Sequence, residues 1–221
     1  MKLASQDYSS FIILGGGQHA YLVNGLAIKQ GLKIYGWLDR SETSKFQASD
    51  KFVQISNDAD YKDLAANGVG IIPGMASLEL WSKRTTLLMD LSDPSKLNPI
   101  IMDARSQVSD SVQLGDGIQF IGNCFIQSDT QIGNWSIINS GSIVEHDTFI
   151  GDYVHIAPGV TVCGGVSIGR GSYIGAGSTI IEGVSIGENV IIGAGSLVLK
   201  DVSDGEFQYG APSVNRGTRN G

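Results

Sequence analysis

The chain has 221 residues, a formal net charge of -7, only 15 Lys plus Arg, and two cysteines. An acidic balance without any basic run argues against a nucleic-acid partner or an anionic membrane surface. No stretch has the length of a membrane span, and the opening MKLASQDYSS lacks the apolar core of a signal peptide. A cytoplasmic protein with no membrane insertion is therefore expected. Cys124 and Cys163 are too few for a disulfide framework or a thiolate metal site, and Cys124 reads as a buried free thiol.

From the N-terminus, Phe11–Leu14 is a short apolar run that ends in Gly15-Gly16-Gly17, which predicts a buried strand entering a tight turn. A helix is expected from His19 to Gln30, with Leu22, Val23, Leu26 and Ala27 on its buried face. Residues 33–39 predict a second strand that ends at Asp39, and Val69–Pro73 a third. Residues 85–91 (TTLLMDL) read as a last strand before a linker at Ser92–Pro99. Strand, glycine turn, helix and strand make a βαβ unit, so a small parallel sheet follows. Gly15-x-Gly17-x-x-Ala20, with Asp39 nineteen residues after Ala20, also satisfies the dinucleotide fingerprint. A helix N-terminus with close backbone approach cradles phosphate. NAD is one ligand of that kind, although this half has room for a single mononucleotide lobe.

After residue 100 the rules change. Only 9 of the 30 glycines precede it, and from Val108 to Val198 every sixth residue is aliphatic or aromatic. Phe120, Ile126, Val144, Ile156, Ile174 and Ile192 are among the sixteen anchors, and no insertion breaks the phase. A period of six keeps no helical face buried, whereas short strands separated by turns fit it, so a stacked β-helix is expected. Gly commonly follows the anchor, where it is expected to relieve strain as each strand bends into the next face. The fourth position after the anchor is small or β-branched. Burial of sixteen anchors at about 1.5–3 kcal/mol each supplies a core without disulfides or metal. The domain reading is a Rossmann-like α/β domain over 1–99 and a β-helix over 100–221.

The hexads resemble the left-handed parallel β-helix of hexapeptide-repeat acyltransferases, in which three hexads make one triangular coil. Sixteen hexads then give about five coils. GGGQHA (15–20), GWLD (36–39), NSGSIVEHDTFIGDYVHIAPG (139–159) and YGAP (209–212) together resemble the nucleotide-sugar N-acetyltransferases within that family, and the related sialic acid O-acetyltransferases. The resemblance implies acetyl transfer from acetyl-CoA to the 4-amino group of a nucleotide-linked amino-deoxy sugar, with O-acetylation of a sialic acid as the alternative. This chain departs from the family pattern at Gln18, at Arg40, and in the Ser-Val-Asn-Arg that follows Pro212, where Arg216 is the nearest basic residue.

His146, in Glu145-His146-Asp147, lies off the anchor positions and should project outward. Amine attack on a thioester needs a base, and an imidazole beside a carboxylate suits that role. The resemblance makes His146 that base, Asp147 its carboxylate partner with Glu145 as fallback, and Asn139 an orienting group. It assigns His155 to the acetyl or pantetheine arm and the backbones of Ala176 and Ala194 to coenzyme A. The N–H of Gly164 or Gly165 is the candidate oxyanion donor. Gly15, Gly16, Gly17, His19, Asp39 and Arg40 are the expected sugar-nucleotide contacts. With eighteen residues per coil, His146 and His155 fall on opposite sides of one prism, so a shared site requires different chains. A homotrimer with sites between subunits is the expectation. A zinc enzyme of this fold needs three histidine ligands and the repeat holds two, so no metal is expected. No face carries the ranked threonines of a non-enzymatic ice-binding solenoid.

Overall fold

The computed structural model describes residues 10–39, 53–55, 63–64, 67–78, 81–91 and 98–218. They divide into two compact units, Met1–Ile101 and Met102–Gly221. In the first, β1 (Ser10–Leu14), β2 (Ile34–Leu38), β3 (Val53–Ile55) and β4 (Val69–Pro73) form a parallel sheet in the order β3-β2-β1-β4. β1 and β4 are buried along their whole length, as continuous apolar runs in a parallel sheet require. α1 (Gln18–Lys29) connects β1 to β2 and buries Ala20, Val23, Asn24, Leu26 and Ala27. Leu22, expected inside, is 44% exposed. The buried stripe runs through 20, 23, 24 and 27, an i, i+3, i+4, i+7 row that passes Leu22 by and takes in Asn24.

The strand expected over 85–91 is instead the end of a helix, α2 (Trp81–Leu91). Trp81, Arg84 and Leu88 are fully buried at three- and four-residue intervals, and the Thr85 hydroxyl donates to the Trp81 carbonyl at 3.2 Å. The apolar Leu87-Leu88-Met89 run concealed this period, since Met89 is exposed. Asn98, Pro99 and Ile100 are buried, and Asn98 Oδ1 accepts the Ile71 N–H at 3.4 Å. The expected linker therefore ends inside packed structure, while its residues 92–97 lie outside the described ones.

The second unit is a parallel β-helix of about six turns, one more than the anchor count suggested. The excess arises because β5 (Ile101–Met102) precedes the first anchor and Val202 bridges Ile186 after the last. Each anchor is the second residue of a two-residue strand, from β6 (Gln107–Val108) to β21 (Leu197–Val198). Strands stack in parallel with partners eighteen residues apart, as in Ile137↔His155 and Ile138↔Ile156. The anchors from Phe120 to Val198 are buried, and so are the residues four positions after them. Serines at most of these positions donate the hydroxyl to the next coil's carbonyl: Ser136 to Gly151, Ser142 to Ala157 and Ser178 to Gly193, each at 2.9 Å. Cys124 occupies one such position, and burial pushes its thiol up to about 11.

The glycine that follows many of the anchors serves a purpose different from the one expected. A Cβ on Gly133, Gly169 or Gly175 would stand 2.5 Å from backbone atoms of the next coil. These glycines permit coils to stack, and their backbones are not left-handed. The left-handed residue is the third after the anchor, as at Gly159 (φ +68°) and Gly183 (φ +70°), and Asp147 adopts the same conformation at φ +55°. β22 (Glu206–Tyr209) extends the face that contains β5, and the antiparallel β23 (Val214–Thr218) ends it, with Arg216 5.0 Å over the Tyr209 ring. Among the described residues no helix is long and apolar enough to cross a membrane.

Candidate active site

Strand β12 (Ile143–Val144) ends on the six-stranded face of the prism and β13 (Phe149–Ile150) begins on the five-stranded face. Glu145, His146 and Asp147 form the turn between them. The left-handed backbone at Asp147 folds its carboxylate back toward the preceding ring, and Oδ2 lies 2.8 Å from His146 Nδ1. Both side chains are open to solvent, at 60% and 68% exposure. The carboxylate bond raises the imidazole above the ordinary histidine value, and the charges of Asp147, Glu145 and Asp129 act in the same direction. With Nδ1–H held by Asp147, the neutral ring presents its Nε2 lone pair outward. Asp147 is thus the group that orients the ring, and Glu145 contributes charge alone.

Gly164 lies one coil further on, directly against this ring. A Cβ there would stand 2.9 Å from His146 Cε1 and 3.0 Å from Nε2. The Gly165 N–H is already donated to the His146 carbonyl at 2.9 Å, whereas the Gly164 N–H has no acceptor among the described residues. Of the two oxyanion donors considered, only Gly164 is open.

His155 begins β14 (His155–Ile156) on the eight-stranded face, across the prism from the His146 turn. Its ring is buried, 2% exposed, and meets Tyr173 of the next coil edge-on at 4.8 Å. Asn139 belongs with it and not with this chain's His146. Asn139 Oδ1 accepts the Ser140 N–H at 2.8 Å, which leaves Nδ2 to donate to His155 Nε2 at 3.3 Å. Ala176 and Ala194 lie exposed in adjacent coils, on the turn that leaves this face. Neither amide has an acceptor among the described residues. Among those residues no group of three His, Cys, Asp or Glu side chains could hold a metal.

In the first unit, Gly15 (φ +94°) donates its N–H to Leu38 O at 2.8 Å, which sets Asp39 beside the glycine turn. Gly17 is the N-cap of α1 and no side chain caps that end, so its first amides face the turn. His19 and Asp39 are half-buried; Arg40 lies outside the described residues. Because β1 pairs with both β2 and β4, the sheet order reverses there, and the crevice beyond those strand ends is where open α/β sheets take ligands. Gly74, which no motif marks, closes β4 beside this turn. Gly74 donates its N–H to Leu14 O at 2.7 Å, and a Cβ there would collide with Ala20 Cβ at 2.6 Å. The available signal was a glycine closing an apolar strand, the same mark that singled out Gly15.

Comparisons with known proteins bear on this arrangement. The families described as bacterial transferase hexapeptide (six repeats) and hexapeptide repeat of succinyl-transferase match residues 147–182 and 165–200. No curated protein matches the chain. Among solved structures, a variant of GDP-perosamine N-acetyltransferase from Caulobacter crescentus, in complex with CoA and GDP-perosamine, is 28% identical with a TM-score of 0.83, covering 95% of this chain and 97% of that one. The acetyltransferase domain of PglB from Neisseria gonorrhoeae, in complex with acetyl coenzyme A, is 23% identical with a TM-score of 0.80, covering 94% and 99%. WeeI from Acinetobacter baumannii is 23% identical with a TM-score of 0.78, covering 93% and 99%. The last two likenesses are of fold. The matched repeats begin at Asp147, within the His146 turn, and the likeness to the perosamine N-acetyltransferase runs along nearly the whole chain, so this chain is similar in repeat and in fold to hexapeptide-repeat transferases that carry acetyl groups.

Proposed function

We propose that the protein transfers the acetyl group of acetyl-CoA to the amine of a nucleotide-linked amino-deoxy sugar, at the 4-position. The observation that carries this reading is the His146–Asp147 pair, 2.8 Å apart, on an outward turn packed against Gly164, whose amide has no acceptor among the described residues. The acetyltransferase that is 28% identical along the chain, solved with CoA and GDP-perosamine, supports the substrate class.

In this mechanism the sugar nitrogen attacks the thioester carbonyl while His146 Nε2 takes its proton. The Gly164 N–H donates to the oxygen on which charge develops. The C–S bond then breaks, and the departing thiolate takes the proton back from His146, which yields the amide and free coenzyme A. Asp147 fixes the tautomer and steadies the imidazolium. Ala176 and Ala194 offer amides to the pantetheine arm. His155, buried and held by Asn139, serves the thioester side as a fixed wall and not as an acid or base. Gly15, Gly16, Gly17, His19 and Asp39, with the turn at Gly74, receive the nucleotide, and Arg40 is assigned there by the resemblance alone. Both substrates are cytoplasmic metabolites, so the enzyme works in the cytoplasm.

His146 and His155 lie on opposite sides of the prism, so a site that uses both is completed by a neighbouring copy, and we assign a homotrimer. Exposed Phe125, Ile143 and Phe149, which flank the His146 turn, support this assembly.

His146→Ala tests the assignment. Turnover of an amino-sugar nucleotide should fall about 100-fold or more, with acetyl-CoA binding by calorimetry unchanged. Undiminished turnover removes His146 from the chemistry. Activity on sialic acid but on no amino-sugar nucleotide would turn the reading to O-acetylation.

A further inference from the structure

The position two residues after each anchor carries a side chain in nearly every coil. On the edge that holds His146 the column reads Asp110, Ser128, His146, Gly164, Glu182 and Lys200. The coil therefore has no need of glycine at 164. Nor does the backbone require it, because Gly164 is not left-handed; that conformation falls on Gly165 at φ +68°. What occupies the missing side chain's volume is the imidazole of the preceding coil, its Cε1–Nε2 edge 2.9–3.0 Å from where a Cβ would be.

We infer that Gly164 is a positioning residue for the base: its bare Cα is the seat on which the His146 ring lies while Asp147 holds the opposite nitrogen. This inference rests on the acetyltransfer reading but assigns Gly164 a role separate from its amide. Any side chain at 164 forces the ring to swing, which opens the 2.8 Å bond to Asp147 and carries Nε2 away from the Gly164 N–H. Base and oxyanion donor are thereby set by one contact between adjacent coils. The ring is exposed enough to swing without disturbing the core, so the effect is on chemistry and not on folding.

Gly164→Ala separates the two roles, because alanine keeps the amide and removes only the seat. Expected are an unchanged Tm, an unchanged KM for acetyl-CoA and a kcat lower by about 100-fold. The His146 imidazole, followed by NMR titration, should move back toward the ordinary histidine value as the Asp147 bond opens. The contrasting variant is Gly183→Ala, one coil on, whose Cβ meets nothing within 4 Å but whose φ is +70°. It should lower Tm and leave the His146 titration and kcat unchanged. A Gly164→Ala protein with wild-type titration and turnover overturns the seat, and so does one that fails to fold, since the glycine would then serve the coil. The titration is read without substrate. A wrong acetyl acceptor would therefore show as inactive wild-type enzyme with the predicted ring shift intact.

Discussion

At the scale of single residues, the proposed chemistry rests on a backbone angle. Asp147 occupies the left-handed corner of its turn, and that conformation turns its carboxylate onto Nδ1 of the residue before it. Asparagine tolerates the same conformation, so Asp147→Asn should leave stability within about 0.5 kcal/mol while it removes the charge. In the proposed mechanism the base works unprotonated, so kcat/KM should rise with pH through the ring's pKa, which Asp147 holds above the ordinary value. The substitution should move that acid limb to lower pH and reduce kcat by about tenfold or more, as a pH-rate profile will show. The linkage to stability has the opposite sense. A raised folded pKa means the pair stabilises the fold while the ring is protonated, and the contribution is lost as pH rises through that pKa.

At the scale of elements, two kinds of glycine hold the coils together, and they fail differently. Gly175 lies where a Cβ would stand 2.5 Å from the Ala194 nitrogen, so Gly175→Ala must separate adjacent coils. Gly177 has open space but a φ of +68°, so Gly177→Ala strains one residue. Urea unfolding should cost the first about 2–3 kcal/mol and the second about 1–2 kcal/mol. Equal losses would mean that stacking is looser than the geometry implies. The lost strand at 85–91 belongs to the same scale. Helix α2 is defined by Trp81, Arg84 and Leu88, so its period was visible only once residues before the apolar run were counted with it.

For the whole molecule, the assigned homotrimer makes a prediction about mass and activity together. Phe125 and Ile143 are cross-strand partners on the six-stranded face and both are exposed. Changing both to glutamate should yield single chains by sedimentation, with the β-helix circular dichroism retained and turnover lost. A wild-type protein that sediments as a fully active single chain defeats the assignment. The same substitutions in a trimer that remains assembled would place its interface on another face.

The amino-acid sequence alone determined the β-helix and its phase, because a hexad repeat leaves only one way to bury every sixth side chain. It also marked Gly15–Gly17, Asp39, His146 and Asp147, since turns, phosphate cradles and imidazole–carboxylate pairs are local in the chain. Only the tertiary structure decided which groups meet across coils. Gly164 lies against His146 and Asn139 against His155 because eighteen residues close one circuit, and the orientation of rings and amides within that circuit depends on packing. It likewise chose Asn24 over Leu22 for the buried face of α1, and brought Gly74 against Leu14 and Ala20, a contact that exists only once β4 has paired with β1. Contacts between residues distant along the chain are fixed by folding, and no local pattern encodes them.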